Sequence, residues 1–238
     1  NEQFALSALW ITYGAVALGI GTKGGRKSVR WGALALLTIA TLKVLAVDSR
    51  FSDASWHTLV LNQTFGAFAL LIAALACGVW FYSRAEKNVS AGERSVMLPL
   101  LVMSANLLAI VALSLEALGY YTVKMSATGL KPEDLANLKL AQQLSISVVW
   151  TIYGGALLTI GIARRSKLLR VMGLLLLGLT IFKVFLFDLS SLEKLYRIIS
   201  FIVLGLILLT VSFLYQRYRQ RVAEFIGDRD APAPVGNE

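Results

Sequence analysis

The sequence predicts an all-α, polytopic membrane bundle of about seven transmembrane helices, arranged as two parallel three-helix repeats joined by one helix. Three observations predict it. The chain is 57% hydrophobic and 16% charged, with a mean hydropathy of +0.68; soluble domains usually carry about 25% charge. Apolar runs follow one another, each roughly 17–25 residues long, the length needed to cross a bilayer core. One stretch also occurs twice. Ser7 to Asp48 aligns without a gap with Ser147 to Asp188 at an offset of 140, and 15 of the 42 positions are identical. Leu and Ile identities come easily in an apolar chain. Ser7/Ser147, Trp10/Trp150, Tyr13/Tyr153, Gly14/Gly154, Gly21/Gly161, Lys27/Lys167, Arg30/Arg170, Lys43/Lys183 and Asp48/Asp188 do not.

Each element follows from the pattern. Span one covers about 4–20 and carries Trp10, Tyr13 and Gly14. A basic hairpin with Lys23, Arg26, Lys27 and Arg30 leads into span two, about 31–47, which ends on Lys43 and Asp48. A short polar link with Arg50 and Asp53 precedes span three, about 59–82. That span is rich in Gly and Ala, which let helices approach closely in lipid. A mixed-charge loop, 84–94, leads into span four, about 96–118, with Asn106 near its centre and Glu116 near its end. The longest connection is 120–141. Within it, Pro132, Glu133 and Asp134 fit a helix first turn, and a short interfacial helix is expected to run into span five, about 144–162. A second basic hairpin holds Arg164, Arg165, Lys167 and Arg170. Spans six and seven follow at about 171–187 and 195–215. The domains read as a first repeat at 1–82, a linking span with the interfacial helix at 83–141, a second repeat at 142–217 and a disordered tail at 218–238.

Charge sets the orientation. Seven spans place fifteen Lys and Arg on one side and six on the other, with Lys43 and Lys183 inside spans. Positive loops stay in the cytoplasm, so the N-terminus is expected outside and the C-terminus inside. Three spans plus one is an even number, so both repeats enter from the same side and are parallel. The formal net charge of +9 therefore points to cytoplasmic loops rather than nucleic acid. The lone cysteine, Cys77, excludes an intrachain disulfide. The chain starts Asn-Glu-Gln without Met, which reads as a processed chain or a piece of a longer one; no basic n-region marks a signal peptide.

The W-x-x-Y-G start, the basic hairpin, the K-V-x-x-x-D end and the final stretch from Leu195 to Arg217 resemble the C-terminal part of a family of large bacterial multi-pass membrane proteins, a domain of unknown function. The resemblance implies a bacterial inner membrane and a longer parent protein, often with an N-terminal coiled coil. It implies no activity, ligand or catalytic residue. The first copy departs from the second in its third span, where Leu61 to Phe65 stands in place of Tyr196 to Phe201. The two halves therefore need not share a site.

Lys43 and Lys183 are the sharpest candidates, each about one turn before the outer end of a span. Snorkelling to the headgroups is the plain reading; intramembrane charge otherwise marks a site or a buried pair. Glu116 lies at similar depth and is the expected partner for one lysine. Asp48 and Asp188 come five residues on, about 140° round an α-helix, so a pair within one helix is not expected. Trp10, Tyr13, Trp150 and Tyr153 start spans one and five; an interfacial belt or a paired stacking surface explains them. Arg26, Lys27, Arg30, Arg164, Arg165, Lys167 and Arg170 enforce topology and can hold anionic lipid headgroups. Asn106 is expected to bond between helices. His57 and Cys77 are assigned no chemistry. No metal, cofactor or catalytic constellation is recognisable, and the Gly21 to Gly25 stretch lacks the features of a phosphate loop.

Three functions remain. The leading one is a non-enzymatic inner-membrane protein that binds or moves a small polar or anionic solute at an outer vestibule, with Lys43 and Lys183 as counter-charges. The second is a scaffold or subunit of a larger envelope complex. The third, an enzyme on a lipid-linked substrate, lacks an acid, base or nucleophile cluster. Membrane lipids are the expected partners, with other membrane subunits or the rest of a longer chain; nucleic acid is not expected.

Overall fold

The computed structural model describes residues 2–48, 62–126, 131–188, 198 and 201–213, with the backbone alone at 2, 3, 47 and 48. The described residues form helices and no strand, the all-α membrane architecture that the apolar runs require. Helix α1 is Glu2–Lys23, α2 Lys27–Lys43, α3 Gln63–Arg84, α4 Ala91–Met125, α5 Pro132–Ala163 and α6 Lys167–Lys183. A π-helical turn extends α2 over Val44–Asp48, and another extends α6 over Val184–Asp188. Six of these helices are long and apolar enough to cross a membrane; the apolar helix α7, Phe201–Phe213, is shorter. The chain forms two compact units, Asn1–Val149 and Trp150–Glu238. Arg50, Asp53, His57, Lys194, Arg197, the 218–238 tail and the side chain of Asp48 lie outside the described residues.

The longest connection is shorter than its polarity suggests. Helix α4 runs on to Met125 and α5 starts at Pro132. The expected interfacial helix and span five are one continuous helix. Ser90 caps α4 by accepting from the Glu93 amide, and Glu133 and Asp134 occupy the first turn of α5. At 1.5 Å per residue α4 and α5 are about 52 and 48 Å long, against about 30 Å of hydrocarbon. Gln142 Nε2 donates to the Leu118 carbonyl at 3.2 Å, so both helices continue past the level of Glu116.

The two basic hairpins are built alike. Helix α1 ends in a Schellman turn: the Arg26 amide bonds the Gly21 carbonyl at 3.1 Å, and Gly25 has φ +65°. Helix α5 ends the same way, with the Ser166 amide on the Gly161 carbonyl at 2.8 Å and Arg165 at φ +52°. The repeated glycines mark close approaches. A Cβ on Gly21 would lie 2.9 Å from the Arg30 amide nitrogen, and one on Gly161 2.7 Å from that of Arg170. Gly14 and Gly154 face Leu37 and Leu177, where a Cβ would sit 2.9 and 3.1 Å from the leucine Cδ2.

In the first unit the α1–α2 hairpin packs on α3, and α3 packs on α4. Ile11, Leu18, Leu37, Val44, Phe68 and Leu71 are almost fully buried between them. Helix α4 contributes Leu101, Leu108 and Ala112, spaced to share one face. Gly78 lets Leu18 and Leu101 meet over the middle of α3. Lipid tails are as apolar as leucine, so close packing and polar bonds supply the specificity that burial alone does not.

Candidate functional site

At the end of the first unit away from its basic hairpin, α1, α2, the N-cap of α3 and α4 each contribute a polar residue. Ser7 of α1 is fully buried and its hydroxyl accepts from Lys43 Nζ of α2. Asn62 precedes α3, capping it by accepting from the Phe65 amide at 2.7 Å, and donates Nδ2 to Glu116 Oε2 of α4 at 2.8 Å. Glu116 is 7% exposed. Among the bonds at this end, Glu116 thus accepts from Asn62 and Lys43 donates to Ser7. A hydrogen bond to a charged group contributes about 1.5–3 kcal/mol, so these contacts fasten α1 to α2 and α3 to α4. Ser7 and Asn62 were missed as ligands of these charges. The identity of Ser7 with Ser147 was the available signal. Trp10 is half-buried against the core, whereas Tyr13 is 67% exposed, so the two rings face different surroundings.

In the second unit Lys183 Nζ meets Asp188 Oδ1 at 2.7 Å, with the carboxylate fully buried. This corrects the expectation that a pair five residues apart fits poorly within one helix. That expectation assumed α-helical rotation. The turn from Val184 to Asp188 is π-helical, and i→i+5 bonding carries the fifth residue back over the first. The first copy has the same turn after Lys43. Trp150 and Tyr153 are both half-buried.

The opposite end of the first unit holds a second polar cluster. Arg30 Nε and Nη2 bond the two carboxylate oxygens of Glu93 at 2.9 and 2.8 Å, and Tyr82 donates to Glu93 Oε1 at 3.1 Å. The Arg30 and Glu93 side chains are 4% and 9% exposed. Fork-to-fork pairing of this kind is strong and directional. It takes Arg30 out of the expected headgroup set, because its guanidinium is turned inward to α4. Arg26, Lys27, Arg164, Arg165 and Lys167 are exposed and Arg170 is half-buried. No sequence pattern signals the Arg30–Glu93 contact, which joins residues 63 positions apart.

The mid-span polar side chains turn onto their own helices. Thr38, Thr41, Thr159 and Thr180 donate to the carbonyls of Leu34, Leu37, Gly155 and Leu176. Asn106 Nδ2 donates to its own Val102 carbonyl at 2.7 Å. Each hydroxyl thereby meets an acceptor four residues back.

A family model described as "Predicted membrane protein (DUF2339)" matches residues 49–218, which is well over half of the chain. The chain belongs to this family. The match begins just past the first π-helical turn, so α3 to α7 lie within it and the α1–α2 hairpin lies before it. No curated protein and no solved structure matches. A DUF2339 protein is a membrane protein of unknown function, and the six long apolar helices accord with that description.

Proposed function

We propose that the chain is a non-enzymatic scaffold of the bacterial inner membrane, a subunit or anchoring segment of a larger envelope complex, with its N-terminus outside and its C-terminus cytoplasmic. One observation carries this reading: the hydroxyls of Thr38, Thr41, Thr159 and Thr180 all donate to carbonyls of their own helices. A translocation path needs polar groups that face a cavity, and these four hydroxyls use their donors on their own backbone. The charges at the helix ends meanwhile join helices or stabilise a turn.

A second reading, solute binding at the outer end, draws on the Lys183–Asp188 pair. π-Helical turns often mark functional positions, and this one carries a fully buried carboxylate. Cysteine accessibility separates the readings. In a Cys77→Ser background, Lys183→Cys is treated with a membrane-impermeant thiol reagent, beside Lys131→Cys as an exposed reference. The scaffold reading expects position 183 to label at least tenfold more slowly than position 131, and Lys183→Ala to lower thermal stability. Equal labelling at the two positions would establish a water-filled vestibule and overturn the scaffold reading.

A further inference from the structure

The α1–α2 turn and the α3–α4 loop lie against each other. Asn88 Nδ2 donates to the Lys23 carbonyl at 2.7 Å, and a Cβ on Gly25 would lie 3.7 Å from the Asn88 carbonyl oxygen. Ala85 and Val89 are buried and hold the second loop down. The two segments, 23–30 and 84–94, bring seven cations together with two carboxylates. Both carboxylates are engaged: Glu93 by Arg30 and Glu86 by Arg94 at 3.2 Å. Lys23, Arg26, Lys27, Arg84 and Lys87 remain on the exposed surface, a cationic face on which both acids of the two segments already pair with an arginine.

Two tryptophans say what meets that face. Trp31 lies one turn into α2 and Trp80 one turn before the end of α3; they are 49% and 47% exposed. Arg84 stacks over the Trp80 ring at 4.5 Å. Indole rings settle at the headgroup level of a bilayer, so the cations stand at the depth of the lipid phosphates. We propose that this face is a binding site for anionic phospholipid headgroups, built from both loops and including Lys23 and Lys87 but not Arg30. A soluble polyanion would need the cations and would not need the exposed tryptophans beside them.

The test uses the full chain purified in a neutral detergent, titrated with short-chain phosphatidylglycerol, short-chain phosphatidylcholine and inorganic phosphate, with binding read as a shift in thermal unfolding. Phosphatidylglycerol is expected to bind at least tenfold more tightly than phosphatidylcholine, with inorganic phosphate giving no saturable shift. The triple variant Lys23→Gln/Arg26→Gln/Lys87→Gln should weaken that binding at least fivefold. Lys131→Gln/Lys139→Gln at the other end should not, and Arg26→Lys should retain it. These side chains are exposed, and the midpoint without lipid verifies that the triple variant folds. Equal binding of the two lipids, an unchanged triple variant, or a full response to inorganic phosphate would each overturn the proposal.

Discussion

The α1–α2 hairpin and the hairpin formed by the end of α5 with α6 share a skeleton and differ in their surroundings. Both have the Schellman turn, the glycine pressed on the arginine backbone, the glycine pressed on a leucine and the π-helical turn after the last lysine. Their burial diverges. Ile11 is fully buried where Thr151 is exposed, and Leu37 is 2% exposed where Leu177 is half-buried. In the first unit α3 covers the hairpin, and α4 reaches Arg30 through Glu93. On α6, Leu174, Leu175, Leu179, Ile181 and Phe182 remain exposed. The features that repeat are local, set by residues near in sequence. The features that differ depend on helices from elsewhere in the chain, and lipid can face an apolar helix at no hydrophobic cost.

The largest test of this contrast lies at Glu93. Glu93→Ala would leave the Arg30 guanidinium buried without its carboxylate, which costs about 3–5 kcal/mol. Denaturant or thermal unfolding in detergent measures it. Lys27→Ala, on the exposed side of the same turn, should stay within about 0.5 kcal/mol. If the two variants are equally mild, the first unit is not held by its polar cluster, and the distinction between the units reduces to apolar packing.

The glycines probe the shared skeleton. Gly21→Ala and Gly161→Ala each force a Cβ against backbone at 2.9 and 2.7 Å, and overpacking of that kind costs about 1–3 kcal/mol. Both hairpins should lose similar amounts, because the clash lies within each hairpin. Gly32 and Gly178 sit in helix interiors with nothing within 4 Å of an added Cβ, so alanine there should gain about 0.5–1 kcal/mol. A neutral Gly161→Ala would mean that the second hairpin yields where the first does not.

These contrasts also explain what was legible. The repeat, the spans and the basic hairpins were visible because hydropathy and identity at a fixed offset report them directly. The lengths of α4 and α5 were not. Hydropathy marks where the hydrocarbon ends, and a helix can run on through Tyr120 and Tyr121, or begin at Pro132, with polar neighbours. The Lys183–Asp188 pair was hidden because a π-helical turn leaves no mark in the side-chain pattern. Arg30 satisfied the expected bias of positive charge so well that nothing called for a buried partner. Trp10 and Tyr13 joined the candidate solute site on the expectation that residues at one depth share a surface. Depth is readable from sequence, but the direction a side chain faces depends on its neighbours: Trp10 turns to the core and Tyr13 does not.

The smallest expected effect lies in the one position where the two turns differ in conformational cost. Gly25 and Arg165 occupy the same left-handed position. A residue with a Cβ costs roughly 1–2 kcal/mol there, while glycine gives back part of that through its freedom in the unfolded chain. Arg165→Gly should therefore gain about 0.5 kcal/mol, and Gly25→Ala should lose about 1 kcal/mol. Unfolding of the two variants under one condition measures both. A loss at Arg165→Gly would show that its guanidinium makes a contact outweighing the backbone strain. The second hairpin would then hold its turn through an arginine contact, where the first relies on a glycine for the left-handed backbone.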